Sequence, residues 1–204
     1  MTFLLSLSRG IDWLTTAFGK VMYWLTLFMV LIGGFNVIAR YAYDPIARAF
    51  GDDFAQRLSS NVYLELQTYA YNLVFLLGAA FVLNQNAHVR VDIVFTQLGP
   101  KARAWVDVLG TALFLIPFAL MGIYFSQSYV ARSWRQLEVS PNPGGLPRYP
   151  IKTIILIAFA LLIVQGVSEI IKNAAFIRGR TDSKSVHDNK TAPPEKITEQ
   201  VEVL

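Results

Sequence analysis

Two long runs without a single charged residue, Leu66 to Ala87 and Val108 to Ala131, constrain this chain more than anything else in it. A helix crosses a hydrocarbon core of about 30 Å with roughly 20 apolar residues at about 1.5 Å each, and both runs are long enough. Between them lies a short polar connector, Asn84-Gln85-Asn86-Ala87-His88-Val89-Arg90-Val91-Asp92, running on to Gly99-Pro100-Lys101-Ala102-Arg103. Two apolar runs joined by a short basic link read as a transmembrane hairpin. Composition agrees: 54% of the 204 residues are hydrophobic and 16% charged, against about 25% charged in soluble domains. The chain has no cysteine, which removes disulfides, thiolate metal sites and thiol redox chemistry together.

Two further spans extend the hairpin. Val21 to Ala39 is bracketed by Lys20 and Arg40, with Trp13, Tyr23, Trp24 and Tyr41 near its ends, where amphipathic rings favour the interface. Gly33-Gly34 would let a neighbouring helix approach Asn36 closely. The last span runs from Ile151 to about Ile170, with Lys152 and Glu169 bounding its core and able to snorkel. The expected fold is an all-α integral membrane protein with four transmembrane helices, at about 21–40, 62–84, 104–130 and 151–171. These form a domain over 1–178. From 179 to 204 the composition turns polar, with alternating charges and Pro193-Pro194, as in a disordered, solvated tail. The segment before Lys20 has too short an apolar part and no small-x-small site for a signal peptide, and is expected as a retained flank.

Between the first two spans, Ile46, Phe50, Phe54 and Leu58 recur every four residues. Asp44-Pro45 resembles an N-cap followed by proline at the first helical position, so a short amphipathic helix on the membrane surface or against a partner is expected. Gly51 argues against one continuous helix. Pro117, in the middle of the third span, predicts a kink near Phe114. Glu65 stands near the start of the second span, where a carboxylate gains from the helix dipole and still reaches the headgroup layer. Ser140 to Pro150 holds four prolines and two glycines, a turn system leading straight into the fourth span.

Four spans place both termini on one side. Counted as far as Lys184, Lys and Arg number 9 on the terminal side and 7 on the other, which favours cytoplasmic termini by a small margin. The basic balance sits beside apolar runs, so it anchors helices to lipid headgroups; no nucleic-acid partner is implied. No nucleophile elbow, phosphate-cradling loop, HExxH or paired-carboxylate motif is present, so no catalytic, substrate-binding or metal residue is assigned. His88 and His187 are the two histidines, one in the connector and one in the tail, and no cofactor is expected. The spans show no internal repeat and little polarity at mid-depth, unlike a self-sufficient carrier. An accessory subunit of a larger assembly fits better; a cofactor-binding or other accessory subunit of an unrelated membrane enzyme complex is the alternative.

Three stretches resemble the DctQ-type small membrane subunit of tripartite ATP-independent periplasmic (TRAP) transporters. Asn36-Val37-Ile38-Ala39-Arg40-Tyr41 is similar to the end of that family's first span. Glu65-Leu66-Gln67 through Gly78-Ala79-Ala80 and His88-Val89-Arg90-Val91-Asp92, continued by Leu98, Arg103, Asp107 and Gly110, is similar to its second span and connector. Gly144-Gly145-Leu146-Pro147-Arg148-Tyr149-Pro150-Ile151-Lys152 is similar to the entry into its fourth. The resemblance, over about Lys20 to Arg178, implies a non-catalytic subunit in the bacterial inner membrane with both termini cytoplasmic. It implies a large DctM-type membrane subunit that works as an elevator, a DctP-type periplasmic binding protein, and sodium-driven uptake of organic acids or carboxylates. Arg40, Glu65, His88, Arg90, Asp92, Arg103 and Asp107 are then candidate subunit-interface or structural residues. Gly145, Pro147 and Arg148 are candidates for a periplasmic docking surface or cap.

Overall fold

A computed structural model describes residues 2–85 and 98–179. Its long helices are α1 (Thr2–Tyr41), α4 (Asn61–Asn84), α5 (Pro100–Gly110) continuing through a π-helical turn (Thr111–Leu115) into α6 (Ile116–Arg135), and α7 (Tyr149–Ile177). Two short helices, α2 (Tyr43–Phe50) and α3 (Asp52–Leu58), join α1 to α4. Among the described residues there is no strand, and four helical stretches are long and apolar enough to cross a membrane: Leu4–Tyr41, Asp52–Asn84, Pro100–Arg135 and Tyr149–Ile177. Between 6% and 28% of the most apolar window of each is buried within the chain, so these helices direct most of their apolar surface outward. In water that surface would be prohibitive; in a bilayer it is the expected solvent-facing side.

The described parts of 1–16, 80–120 and 161–204 form one compact unit, and those of 17–79 and 121–160 a second. Small residues line both interiors. Ala104, Ala119 and Ala175 are fully buried in the first, and Ala55, Ala70 and Ala158 nearly so in the second. In the first unit, Gly166 leaves room for the π turn: a Cβ there would stand 3.0 Å from Leu115 Cδ2 and 3.2 Å from Thr111 Cγ2. In the second, a Cβ on Gly33 would meet the Gln67 side chain at 2.6 Å. Close backbone approach through small residues is how membrane helices gain contact when lipid offers no hydrophobic drive.

Several boundaries differ from expectation. α1 begins at Thr2, not near residue 21, so the expected flank is continuous helix. Lys20, taken as a border, is an exposed side chain on the helix surface and interrupts nothing. The amphipathic segment is two helices, broken at Gly51, whose φ of 91° a residue with a Cβ rarely adopts. Asp44 is not the N-cap. Ala42 is, without a side-chain cap, and Pro45 falls third in α2, where the first four N–H groups lack helical partners anyway. Around Phe114, where Pro117 predicted a kink, Thr111–Leu115 form a π turn, in which the Ile116 N–H bonds Thr111 O, five residues back. α5 starts at Pro100, ahead of the expected 104, with Gly99 as its extended N-cap. The tail from residue 180 lies outside the described residues.

Candidate functional site

The most heavily bonded polar site grows from the end of α6. There Leu137 adopts φ 45°, the left-handed conformation that closes a helix, and the Glu138 N–H reaches Ser133 O at 3.1 Å. The chain then folds back on itself. Ser140 N–H donates to Leu146 O at 3.1 Å, Arg148 N–H donates to Glu138 O at 2.8 Å, and Val139 and Pro147 form an isolated antiparallel bridge. At the tip Gly145 N–H donates to Asn142 O at 2.9 Å around Pro143-Gly144, with Gly144 at φ 71°. Proline at the second position and a positive-φ glycine at the third define a type II turn. A Cβ on Gly145 would stand 2.9 Å from Asn142 O, so the tip has no room for a side chain there.

Glu65 enters this hairpin from α4. Its carboxylate accepts from Ser140 Oγ, from Asn142 Nδ2 at 2.8 Å and from the Leu146 N–H at 2.6 Å. Tyr69, one turn on, donates its hydroxyl to Pro147 O at 3.0 Å. Glu65 is therefore not directed at headgroups: it is buried, and its charge is met by donors from the hairpin. A second carboxylate locks the base. Glu138 accepts from Lys152 Nζ and from Ser133 Oγ at 2.8 Å, while Lys152 lies 4.1 Å over the Tyr129 ring. The Lys152 hydrogen bond, then that of Ser133, holds the Glu138 carboxyl below the usual glutamate range. Trp134 adds a bond to Thr153 Oγ1 at 2.8 Å and an edge contact with Tyr149. Lys152 is thus tied within the chain instead of snorkelling.

The hairpin brings together Glu65, Gly145, Pro147 and Arg148, which the sequence had divided between two roles. Arg40 stands apart, bonding Asn36 Oδ1 at 3.1 Å and Asn61 Oδ1 at 2.7 Å, and so joins the end of α1 to the start of α4. Asn36 and Asn61 thereby find partners. Arg103 donates Nε–H to Leu98 O at 2.8 Å in the first turn of α5, with Asp107 one turn further along. His88, Arg90 and Asp92 lie outside the described residues.

A second polar network escaped the sequence reading. In the other unit, Asp12 Oδ1 accepts from Gln165 Nε2 at 3.0 Å and Ser168 Oγ at 2.9 Å, and Lys172 Nζ sits 3.1 Å from Asp12 Oδ2. Lys172 also pairs with Glu169 at 2.6 Å. Thr15 donates to Gln165 Oε1 at 2.8 Å, Ser8 and Ser168 share a 2.7 Å bond, and Asn84 Nδ2 reaches Thr16 Oγ1 at 3.2 Å. Gln165 and Ser168 are fully buried. The available signal was spacing: Ser8, Asp12 and Thr15 share one face of α1, and Gln165, Ser168, Glu169 and Lys172 one face of α7. Among the described residues no cluster of three His, Cys, Asp or Glu side chains fits a metal ion.

Both sites are built mainly from hydrogen bonds and ion pairs within the chain, an arrangement suited to holding helices together. A model of the family described as "Tripartite ATP-independent periplasmic transporters, DctQ component" matches residues 29–176. The chain belongs to the DctQ family. Searches of the curated proteins and of the solved structures found no match. A DctQ component is the small permease subunit of a TRAP transporter and is not an enzyme, in keeping with the four apolar helices of a membrane protein. The matched range contains the hairpin, Glu65 and Arg40, and begins after Ser8, Asp12 and Thr15.

Proposed function

We propose that this DctQ protein is the rigid scaffold subunit of a sodium-driven, binding-protein-dependent uptake system in a bacterial inner membrane, with both termini cytoplasmic. Its partners are a DctM-type large subunit, which carries substrate and sodium, and a DctP-type periplasmic binding protein; the cargo is an organic acid. The observation that carries the reading is the clamp of Glu65 on the 138–148 hairpin, which ties α4 to the α6–α7 connection by three hydrogen bonds. An element that moved during transport would have to break and remake them in each cycle. Apolar helix surface turned outward supplies the area for a membrane partner as well as for lipid. In proteoliposomes, this chain alone should carry no flux. Adding the large subunit and binding protein should give uptake that collapses without a sodium gradient; uptake by the chain alone would overturn the proposal.

In this topology the hairpin caps the periplasmic end of the subunit. Neutralising Arg148 separates the cap from a docking role: uptake restored at saturating binding protein indicates docking, and uptake still lost indicates the cap. The connector faces the cytoplasm, where Arg90 and Asp92 tie the hairpin of spans to itself or to the large subunit by charge-assisted bonds. Asp92→Lys should then lower co-purification of the large subunit, and an unchanged yield with unchanged transport would remove that role.

A further inference from the structure

A groove of about 590 Å³ runs along α4 where α6 and α7 pack against it, within one compact unit. Its α4 wall is a single stripe through Leu64, Thr68, Asn72 and Leu76, spanning about 18 Å at 1.5 Å per residue. Leu64 and Phe75 are exposed, so the groove opens to the surroundings along its length. Its chemistry is graded. Asn142, Arg148 and Lys152 stand at the end where α7 begins, whereas Phe75, Leu76 and Ile155 line the deeper stretch along the apolar helices.

The charged groups at the polar end are Glu65, Arg148 and Lys152, which line the groove, and Glu138 behind Lys152 as its partner. Three are already occupied: Glu65 by the hairpin donors, and Lys152 and Glu138 by each other. Arg148 differs. It is half-buried, it lines the groove, and among the described residues its guanidinium makes one long bond, 3.4 Å to Ser140 Oγ. A guanidinium is a planar fork of five donors suited to two phosphate oxygens, and here most of that capacity is unused.

We propose that this groove binds one glycerophospholipid, with an acyl chain along the Leu64–Leu76 stripe and the phosphate on the Arg148 guanidinium. Arg148 immediately precedes the first turn of an apolar helix that crosses the membrane, which places it at headgroup depth and the stripe below it at acyl depth. Free inorganic phosphate would satisfy Arg148 alone and leave Phe75, Leu76 and Ile155 unfilled. The inference goes beyond the transporter reading and does not rest on it, because it needs only this chain in a bilayer.

The test is native mass spectrometry of the full chain after exchange into detergent, with palmitoyl-oleoyl phosphatidylglycerol or phosphatidylethanolamine added back. The wild type should keep one phospholipid. Arg148→Gln should weaken retention at least tenfold and Arg148→Lys less, while Ile155→Trp, which fills the groove without touching the hairpin bonds, should also abolish it. Thermal unfolding of each variant identifies any that fails to fold, and Ile155→Trp then decides. Equal retention by Ile155→Trp and the wild type, no retained lipid in the wild type, or displacement by inorganic phosphate at equal concentration would each overturn the proposal.

Discussion

Replacing Glu65 by alanine removes one side chain and three hydrogen bonds, and it strands a part-buried Leu146 N–H. A hydrogen bond to a charged acceptor contributes about 1.5–3 kcal/mol. The three share one carboxylate and are not additive, so the expected loss is about 3–5 kcal/mol, the range found when one partner of a buried charged pair is deleted. For a chain of this size that corresponds to a fall in Tm of roughly 10 °C. The assay is thermal unfolding of the purified full chain in detergent, followed by tryptophan fluorescence, since Trp134 packs at the base of the hairpin. Limited proteolysis between 136 and 148 reports the same loss locally. Glu65→Gln keeps one acceptor oxygen but presents an NH2 to donors, and should fall between the wild type and the alanine variant. A Tm for Glu65→Ala within about 1 °C of wild type, with the hairpin cut at the wild-type rate, would refute the clamp, because no other group could then be supplying so much.

Three further outcomes are expected. Glu138, held below its ordinary range by Lys152 and Ser133, contributes stability that is present above the unfolded glutamate pKa and lost as pH falls through the folded one; hairpin protection should therefore decline below about pH 4, and Glu138→Gln should flatten that decline in hydrogen exchange. Lys172→Leu leaves Asp12 and Glu169 without their cation and should cost about 3–5 kcal/mol, some of which Asp12→Asn restores in the double variant, read by thermal unfolding. Leu137→Gly relieves a left-handed backbone position and, after the entropy glycine adds to the unfolded chain, should stabilise by about 0.5–1 kcal/mol, raising Tm by a few degrees.

The second and third spans were legible because charge-free runs of twenty or more residues have few alternatives, and the first and fourth because shorter apolar runs lie between charges that mark their ends, Lys20 and Arg40 and then Lys152 and Glu169. α4 came out closest to expectation, since Asn61 and Asn84 frame an apolar run with no charge but Glu65. The start of α1 was not legible. Lys20 looks like a border in sequence, yet a long side chain on an exposed helix face can sit there without ending anything. Pro143-Gly144 announced a turn, but nothing local says that the turn folds onto Glu65, 75 to 81 residues away. The helix end at Leu137 was hidden because it uses leucine where glycine would have marked it. Asp12 was missed for a related reason: lying in a segment read as a flank, it had no evident partner until α1 and α7 were seen side by side within one unit.

The π turn at Thr111–Leu115 has a consequence for how this family member tolerates changes in length. It holds one residue more than an α-helical turn, and each residue advances a helix by about 100°. Deleting one residue between Thr111 and Leu115 would let the turn regularise into ordinary α-helix without breaking the span. Because the wide turn takes up its extra residue within one turn, the deletion would leave Arg103, Ala104 and Asp107 facing nearly as before relative to the residues that follow, while the bulge would draw away from Gly166. The span can therefore absorb a lost residue here with its faces kept, whereas a deletion in the regular helix of α6 would turn everything on one side of it by about 100° with no slack to take it up.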